Sequence, residues 1–188
     1  MTRFWWVRHG PTHARTLTGW TDLPADLSDR AAVARLSDAL PPAAPVVSSD
    51  LIRARATADA IGQNRPRLPH DPRLREIHFG AWEGLPAAAA EACDPGLTRA
   101  FWDGEASAPG GEGWADMAAR VRAAVDALTG PPDLIVVAHF GAILAALQLA
   151  EGVPARTVLA QPILPLSLTE IALSAAGGWH VGRINHVA

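Results

Sequence analysis

Short apolar runs alternate with amphipathic stretches along most of this chain. Phe4 to Val7 and Leu134 to Ala138 are continuously apolar, which is typical of strands that helices cover on both faces. The stretches that begin near Ser28, after Asp50 and at Trp114 instead repeat apolar residues at helical spacing. This alternation predicts an α/β fold, namely a three-layer α/β/α sandwich around a mostly parallel central sheet.

The remaining elements are predicted from shorter signals. Ser28 or Asp29 is expected to cap the first helix, and Asp50 the second. An apolar helix is expected over residues 142–149. The Ala-, Gly- and Pro-rich residues 85–113, which carry only short helical patches, predict an irregular cap over the site. Three more strands are predicted, over residues 45–49, 166–173 and 179–185.

Length and composition indicate one domain over residues 1–188. The chain has 188 residues, of which 49% are apolar and 19% charged, enough for one buried core and too few for two. The formal net charge of −3 and the absence of lysine argue against a nucleic-acid partner. One oxyanion-binding site is still possible, because a planar arginine guanidinium can bind an oxyanion through two parallel hydrogen bonds.

Targeting and metal signals are weak in this sequence. The N-terminal apolar run ends at Arg8, too early for a signal peptide or a membrane span. Cys93 is the one cysteine, so neither an internal disulfide nor a multi-cysteine metal site is expected. Among the five other histidines, His13, His70, His78, His180 and His186, no pair has the i, i+4 spacing beside a carboxylate that is typical of a zinc helix. We therefore expect a cytoplasmic protein with no membrane partner and no metal. The oligomeric state stays open, with a homodimer as one option.

Chemically active side chains follow three predicted strands where these strands end. Arg8 and His9 follow the first strand, Arg53 lies in the first helical turn after the second, and His139 follows Ala138. Because strand ends in α/β sheets converge on one edge, these groups are expected to form one anion site. A neutral imidazole is a competent nucleophile toward phosphorus. Each motif taken singly also has a structural explanation. Arg8 and His9 could lie in a surface turn, and Arg53 could be an ordinary solvated helix arginine.

Two carboxyls lie in the stretch from Leu74 to Gly84. Glu76 is either a general acid or the partner of an arginine, and the residues alone leave both open. For Glu83 the sequence favours a structural hydrogen-bonding role near the pocket.

The chain resembles the histidine phosphatase superfamily, which includes phosphoglycerate mutases and alpha-ribazole phosphatase-like enzymes. The resemblance rests on four motifs in the family's order: Arg8-His9-Gly10, Ser49 to Ala54, Leu74 to Gly84, and Val136 to His139. It implies a phosphoglycerate mutase-like fold without a cofactor. It also implies that His9 is the nucleophile, that Glu76 is the proton donor, and that Arg8, Arg53 and His139 bind the phosphoryl group. During transfer to His9, a protonated His139 could also meet the charge on the equatorial oxygens.

Three positions depart from the family's usual pattern. Phe140 stands where glycine is usual after the second histidine, Arg15 where asparagine is frequent, and Pro11 where glutamate is common. Phe140 and Arg15, together with Trp20 and Glu83, are the predicted substrate pocket. These departures are expected to change the size of substrate accepted and its affinity.

The function predicted from the sequence is a metal-independent phosphomonoesterase that acts on a small phosphate ester through a phosphohistidine. A phosphoglycerate mutase-type isomerase is the first alternative, although the chain has little room for the insertions such mutases share. A catalytically idle phosphate-binding protein is the second, but a binder needs neither a nucleophile nor an acid.

Overall fold

The computed structural model describes residues 1–188, and its five strands form one sheet in the order β2-β3-β1-β4-β5. The strands are β1 Thr2–Arg8, β2 Val46–Ser48, β3 Asp133–Ala138, β4 Leu168–Leu173 and β5 Trp179–Val181. β1 is parallel to β3, and β3 is parallel to β2, while β4 is antiparallel to both of its neighbours. Only β4 therefore runs against the others, which confirms the mostly parallel sheet.

Seven helices surround the sheet or connect its strands. They are α1 Arg30–Ala39, α2 Ile52–Gly62, α3 Ala87–Cys93, α4 Leu97–Trp102, α5 Trp114–Leu128, α6 Phe140–Glu151 and α7 Ala155–Val158. Two 3₁₀ turns, Pro72–Leu74 and Gly80–Trp82, flank the segment that carries Glu76. No helix combines the length and the apolar character that crossing a bilayer requires.

The alternation of side chains along the strands builds the two apolar layers. Phe4 and Trp6 of β1 pack with residues of α5 and α6 on one face of the sheet. Trp5 and Val7 point to the other face, where they pack with residues of α1 and α2. Because successive residues of a strand point to opposite faces, a continuously apolar strand needs cover on both. The three-layer prediction is thus confirmed.

The predicted cap of the first helix is confirmed and that of the second is wrong. The Asp29 carboxylate accepts a hydrogen bond from the Ala32 N–H at 2.9 Å. Asp50 instead binds the Arg75 guanidinium, with contacts of 2.7 and 2.5 Å, and Leu51 is the N-terminal cap residue of α2. A bidentate, charge-assisted pair is stronger than a single cap hydrogen bond, which explains why Asp50 binds Arg75 and does not cap α2. Asp22, from a distant loop, accepts the Ile52 N–H at 2.7 Å.

Several boundaries differ from the sequence-based expectation. α6 begins at Phe140 rather than at residue 142, and the last two strands are shorter than predicted. The segment that carries Glu76 belongs to no strand and lies between two 3₁₀ turns. Within the predicted cap, α3 and α4 are regular helices, and Phe101 of α4 packs against Phe79 with ring centroids 5.8 Å apart.

Candidate active site

The carboxyl ends of β1 and β3 bring the two histidines of the site together. Arg8 pairs with Ala138 in the parallel register, so His9 and His139 are the first residues beyond two adjacent strands. Their ring centroids lie 5.0 Å apart. The expected convergence of these strand ends is therefore present in the structure.

His9 is held in one tautomer by its own loop. Its Nδ1 lies 2.7 Å from the Gly10 carbonyl oxygen, and since that oxygen can only accept, Nδ1 carries the hydrogen. Nε2 is then unprotonated. Burial, with help from the Arg53 and Arg8 charges, lowers the pKa of His9 to about 3. The ring is thus a neutral imidazole whose Nε2 lone pair is free for nucleophilic attack.

His139 has the opposite tautomer. Its Nδ1 accepts a hydrogen bond from Arg53 Nε at 3.2 Å, so its hydrogen lies on Nε2, which has no protein partner although it is buried. Burial first, and then the positive charges nearby, hold the pKa of His139 well below its usual range. His139 is therefore neutral in the free site, and its protonation during phosphoryl transfer stays a prediction. The neutral ring still offers one N–H to an anion.

Arg53 connects three parts of the site. It is only 1% exposed. Its Nη2 donates to the Gly19 carbonyl at 2.6 Å and its Nη1 to the Thr21 carbonyl at 2.8 Å. A Cβ at Gly19 would lie 2.0 Å from the Ile77 carbonyl oxygen, so only glycine permits this close approach. Each terminal nitrogen of Arg53 keeps a second N–H for a ligand.

Arg8 completes the positive side of the cleft. One terminal nitrogen donates to the Ile163 carbonyl, while Nε is buried without a partner. Neither Arg8 nor Arg53 forms an ion pair with a carboxylate. Burial lowers the pKa of both groups and the Glu76 charge opposes this, but arginine starts so high that both stay charged. Two largely buried cations with no ion-pair partner favour an anionic ligand.

Glu76 lies at the N-terminus of α6. The residue is 8% exposed. Both carboxyl oxygens accept from the Gly141 N–H at 3.1 Å, and Oε1 also accepts from the N–H of its neighbour Ile77 at 2.9 Å. Oε2 therefore has the freer lone pairs. A Cβ at Gly141 would lie 2.3 Å from Oε1, so position 141 needs glycine for the carboxyl to fit. Sequence reasoning missed this role of Gly141.

One cleft of about 210 Å³ contains most of the predicted catalytic groups. Arg8, His9, Arg53 and Glu76 line it together with Phe140. His139 lies behind them, fully buried. Three threonines that sequence reasoning missed also line the cleft, namely Thr12, Thr16 and Thr18. Isolated threonines in a loop give no sequence signal for such a role.

Three of the four predicted pocket residues do not line this cleft. Arg15 is exposed. Glu83 accepts hydrogen bonds from the loop that Arg53 also holds, among them the Trp20 N–H at 2.7 Å and the Thr21 hydroxyl at 2.6 Å. Trp20 donates from Nε1 to the Glu76 carbonyl at 2.9 Å. Glu83 and Trp20 therefore lie outside the cleft but stabilise the segments around it: Glu83 binds the loop that Arg53 contacts, and Trp20 binds the segment that carries Glu76.

An apolar cavity of about 50 Å³ adjoins the carboxyl of Glu76. Phe79 and Phe140 border both this cavity and the cleft, and Phe101 and Trp102 of the cap enclose its far side. Phe140 also lies under Arg8, with the guanidinium carbon 5.4 Å from the ring centroid. The space next to the carboxyl is thus bounded by aromatic rings.

Both site histidines should stay neutral in the folded protein as the pH falls from about 8 to about 5. In the unfolded chain the same histidines have the usual pKa of about 6.5. Because the unfolded state then binds more protons, the free energy of unfolding should fall as the pH drops below about 7. NMR of the imidazole nitrogens should place hydrogen on Nδ1 of His9 and Nε2 of His139. Ordinary titration of either ring near neutrality would contradict these assignments.

The site geometry can be set beside known proteins. The family model described as "Histidine phosphatase superfamily (branch 1)" matches residues 4–187. A glucosyl-3-phosphoglycerate phosphatase of Mycobacterium tuberculosis is 40% identical over 118 residues, which are 56% of this chain and 52% of that protein. This chain thus matches about half the length of that relative.

Solved structures match over nearly the whole chain. Bacillus stearothermophilus YhfR superposes with a TM-score of 0.89 at 27% identity, covering 100% of this chain and 98% of its own. A mycobacterial glucosyl-3-phosphoglycerate phosphatase superposes with a TM-score of 0.86 at 28% identity, covering 99% of each chain. Because the family model matches residues 4–187 and these solved structures share the fold, the chain belongs to the histidine phosphatase superfamily.

Proposed function

We propose that this chain is a metal-independent phosphomonoesterase that acts on a small phosphorylated metabolite through a phosphohistidine at His9. The observation that carries the proposal is the lone pair of His9 Nε2, presented in a cleft whose two arginines have no carboxylate partner. The arginine charges can take the part that metal ions take in other phosphoryl-transfer sites. Family membership and the resemblance to phosphatases support the same reading.

In the first step, His9 Nε2 forms a bond to phosphorus while the bond from phosphorus to the alcohol oxygen breaks. The spare N–H groups of Arg8 and Arg53 and the Nε2–H of His139 would bind the equatorial oxygens, where negative charge accumulates. As the proposed acid, Glu76 must carry a proton on Oε2 when the ester is bound, and it would give that proton to the departing oxygen. The Gly10 carbonyl, which accepts from Nδ1–H, would stabilise the positive ring of the phosphohistidine.

In the second step, water attacks the phosphohistidine. Glu76, now a carboxylate, takes a proton from the water as the new oxygen–phosphorus bond forms and the nitrogen–phosphorus bond breaks. Inorganic phosphate leaves, His9 regains its Nε2 lone pair, and Glu76 is protonated again. The same carboxyl therefore acts as acid and then as base.

We propose further that the leaving alcohol is apolar where it meets the enzyme. The wall beside Glu76 consists of aromatic and aliphatic side chains, including Phe79, Phe101 and Phe140. Glucosyl-3-phosphoglycerate, named for two relatives, carries a sugar and a carboxylate, which need polar partners that this wall lacks. The threonines of the cleft would then meet only the outer part of a substrate.

The proposed activity is tested by turnover of para-nitrophenyl phosphate in the presence of a metal chelator. Wild-type turnover should be unchanged by the chelator, and His9→Ala should reduce it by at least about 10³-fold, since the nucleophile is lost. His13→Ala is the matched control, because His13 is exposed and pairs with Asp26 outside the cleft. Turnover that requires metal, or that survives in His9→Ala, would contradict the proposal. Turnover that depends on 2,3-bisphosphoglycerate would indicate the mutase alternative.

Glu76→Gln separates the acid from the rest of the site. The amide oxygen can still accept from the Gly141 N–H, but the amide has no acidic proton to transfer. Single-turnover phosphorylation of His9 by an alkyl phosphate should slow by about 10²–10⁴-fold, because an alkoxide leaves poorly without a proton. Phosphorylation by para-nitrophenyl phosphate should be affected far less, since nitrophenolate needs little help.

The control for this substitution is Glu151→Gln, at an exposed position in the last turn of α6. It should leave both rates unchanged. Equal losses with the two esters in Glu76→Gln would mean that Glu76 acts only through its charge.

Phe140→Gly tests the aromatic wall. Removing the ring opens the boundary between the cleft and the apolar cavity, so the ratio of kcat/KM for aryl and small alkyl phosphates should change more than the rate on a common ester. Phe140→Leu keeps apolar bulk beside Arg8 and should lie between wild type and Phe140→Gly. An unchanged ratio in both variants would place the ring outside the leaving-group site.

A further inference from the structure

The Arg120 guanidinium on α5 contacts the back of the segment that carries Glu76. Nη1 donates to the carbonyls of Arg73 and Arg75 at 2.9 and 2.6 Å, and Nη2 donates to the Glu76 carbonyl at 2.8 Å. Nε and Nη2 also donate to the two carboxylate oxygens of Glu112, each at 2.8 Å. All five N–H groups of this guanidinium therefore have acceptors.

Glu112 extends this contact to the cap. Its Oε2 accepts from the His78 N–H at 3.0 Å, and its own N–H donates to the His78 carbonyl at 2.9 Å. The pair is largely out of solvent, with side chains 16% exposed for Arg120 and 19% for Glu112. The end of the cap, α5 and the acid-bearing segment are thus fixed to one another by one charge-assisted pair.

The backbone of Glu76 is consequently held from two sides. Its carbonyl oxygen accepts from Arg120 Nη2 and from Trp20 Nε1, at 2.8 and 2.9 Å. Its carboxyl is set against the Gly141 N–H, where a Cβ would collide with it. With the carbonyl fixed at one end and the carboxyl at the other, the side chain has little freedom to move away from the cleft.

We propose that Arg120 and Glu112 are positioning residues for Glu76, which fix where its proton is delivered. This inference rests on the proposed role of Glu76 as proton donor. Neither residue lines the cleft, so neither takes part in phosphate binding. A displacement of a catalytic group by about 1 Å can cost about 10²-fold in rate. Loosening the segment should therefore weaken proton transfer and leave attack by His9 largely intact.

The test is the leaving-group dependence of His9 phosphorylation in Arg120→Gln. The rate with an alkyl phosphate should fall by about 10- to 100-fold. The rate with para-nitrophenyl phosphate should fall by less than about 3-fold, and KM should change little for either ester, because the arginines of the cleft are untouched. A merely structural role would slow both esters alike and would overturn the proposal, as would wild-type rates with both.

Arg122→Gln is the matched control, since Arg122 lies on the same helix but pairs with exposed Asp126. It should leave both rates unchanged. Glu112→Gln should reproduce the selective loss of Arg120→Gln. The amide has one acceptor oxygen and no negative charge, so it cannot replace the two charge-assisted bonds from Arg120. Arg120→Lys keeps the charge but has at most three donors on one atom, so its selective loss should be intermediate. It also provides the same readout if Arg120→Gln fails to fold.

Glu76→Gln, measured alongside, separates the two claims. If Glu76→Gln shows the leaving-group selectivity and the Arg120 and Glu112 variants do not, the positioning proposal fails and the acid assignment stands. If Glu76→Gln shows no selectivity, the proposed acid itself is wrong.

Discussion

The hydrogen bond from Arg53 Nε to His139 Nδ1 is the contact on which the rest of the site depends. It fixes the tautomer of His139 and directs that ring's one N–H away from the arginine. It also holds Arg53, whose terminal nitrogens fix the loop of Gly19 and Thr21. Burial lowers the pKa of both histidines, and the Arg53 charge lowers it further. Because Arg53 is buried without an ion-pair partner, it also favours an anion in the site. One guanidinium thereby sets geometry, protonation and ligand charge together.

The fold places these groups through ordinary α/β geometry, but the proton donor is placed differently. His9 and His139 follow adjacent parallel strands, and Arg53 lies in the first turn of the helix that follows β2. Glu76 lies in an irregular segment that no strand supports. Its position comes from the N-terminus of α6, from Trp20 and from Arg120. The nucleophile is therefore positioned by the sheet, and the acid by side chains and backbone of several loops and helices.

Much of this arrangement can be predicted from the sequence because strand ends are readable from apolar runs. The positions of Arg8, His9 and His139 follow from that rule alone. The cap of α2 could not be predicted, since Asp50 is captured by Arg75 and the actual partner of the helix end, Asp22, is distant in sequence. The tautomers of the two histidines and the direction of their pKa shifts could not be predicted either, because hydrogen-bond partners, burial and neighbouring charge depend on tertiary packing. Arg120 carries no sequence signal, since an arginine at the edge of an amphipathic helix is usually solvated.

The central claim, a phosphoryl group carried on His9, is tested most directly by trapping the phosphoenzyme and locating the phosphate. The account predicts an acid-labile, alkali-stable adduct on His9, attached at Nε2 because Nδ1–H is bound to the Gly10 carbonyl. Phosphate found on Nδ1 of His9, on His139, or in an acid-stable ester of a serine or threonine would contradict it.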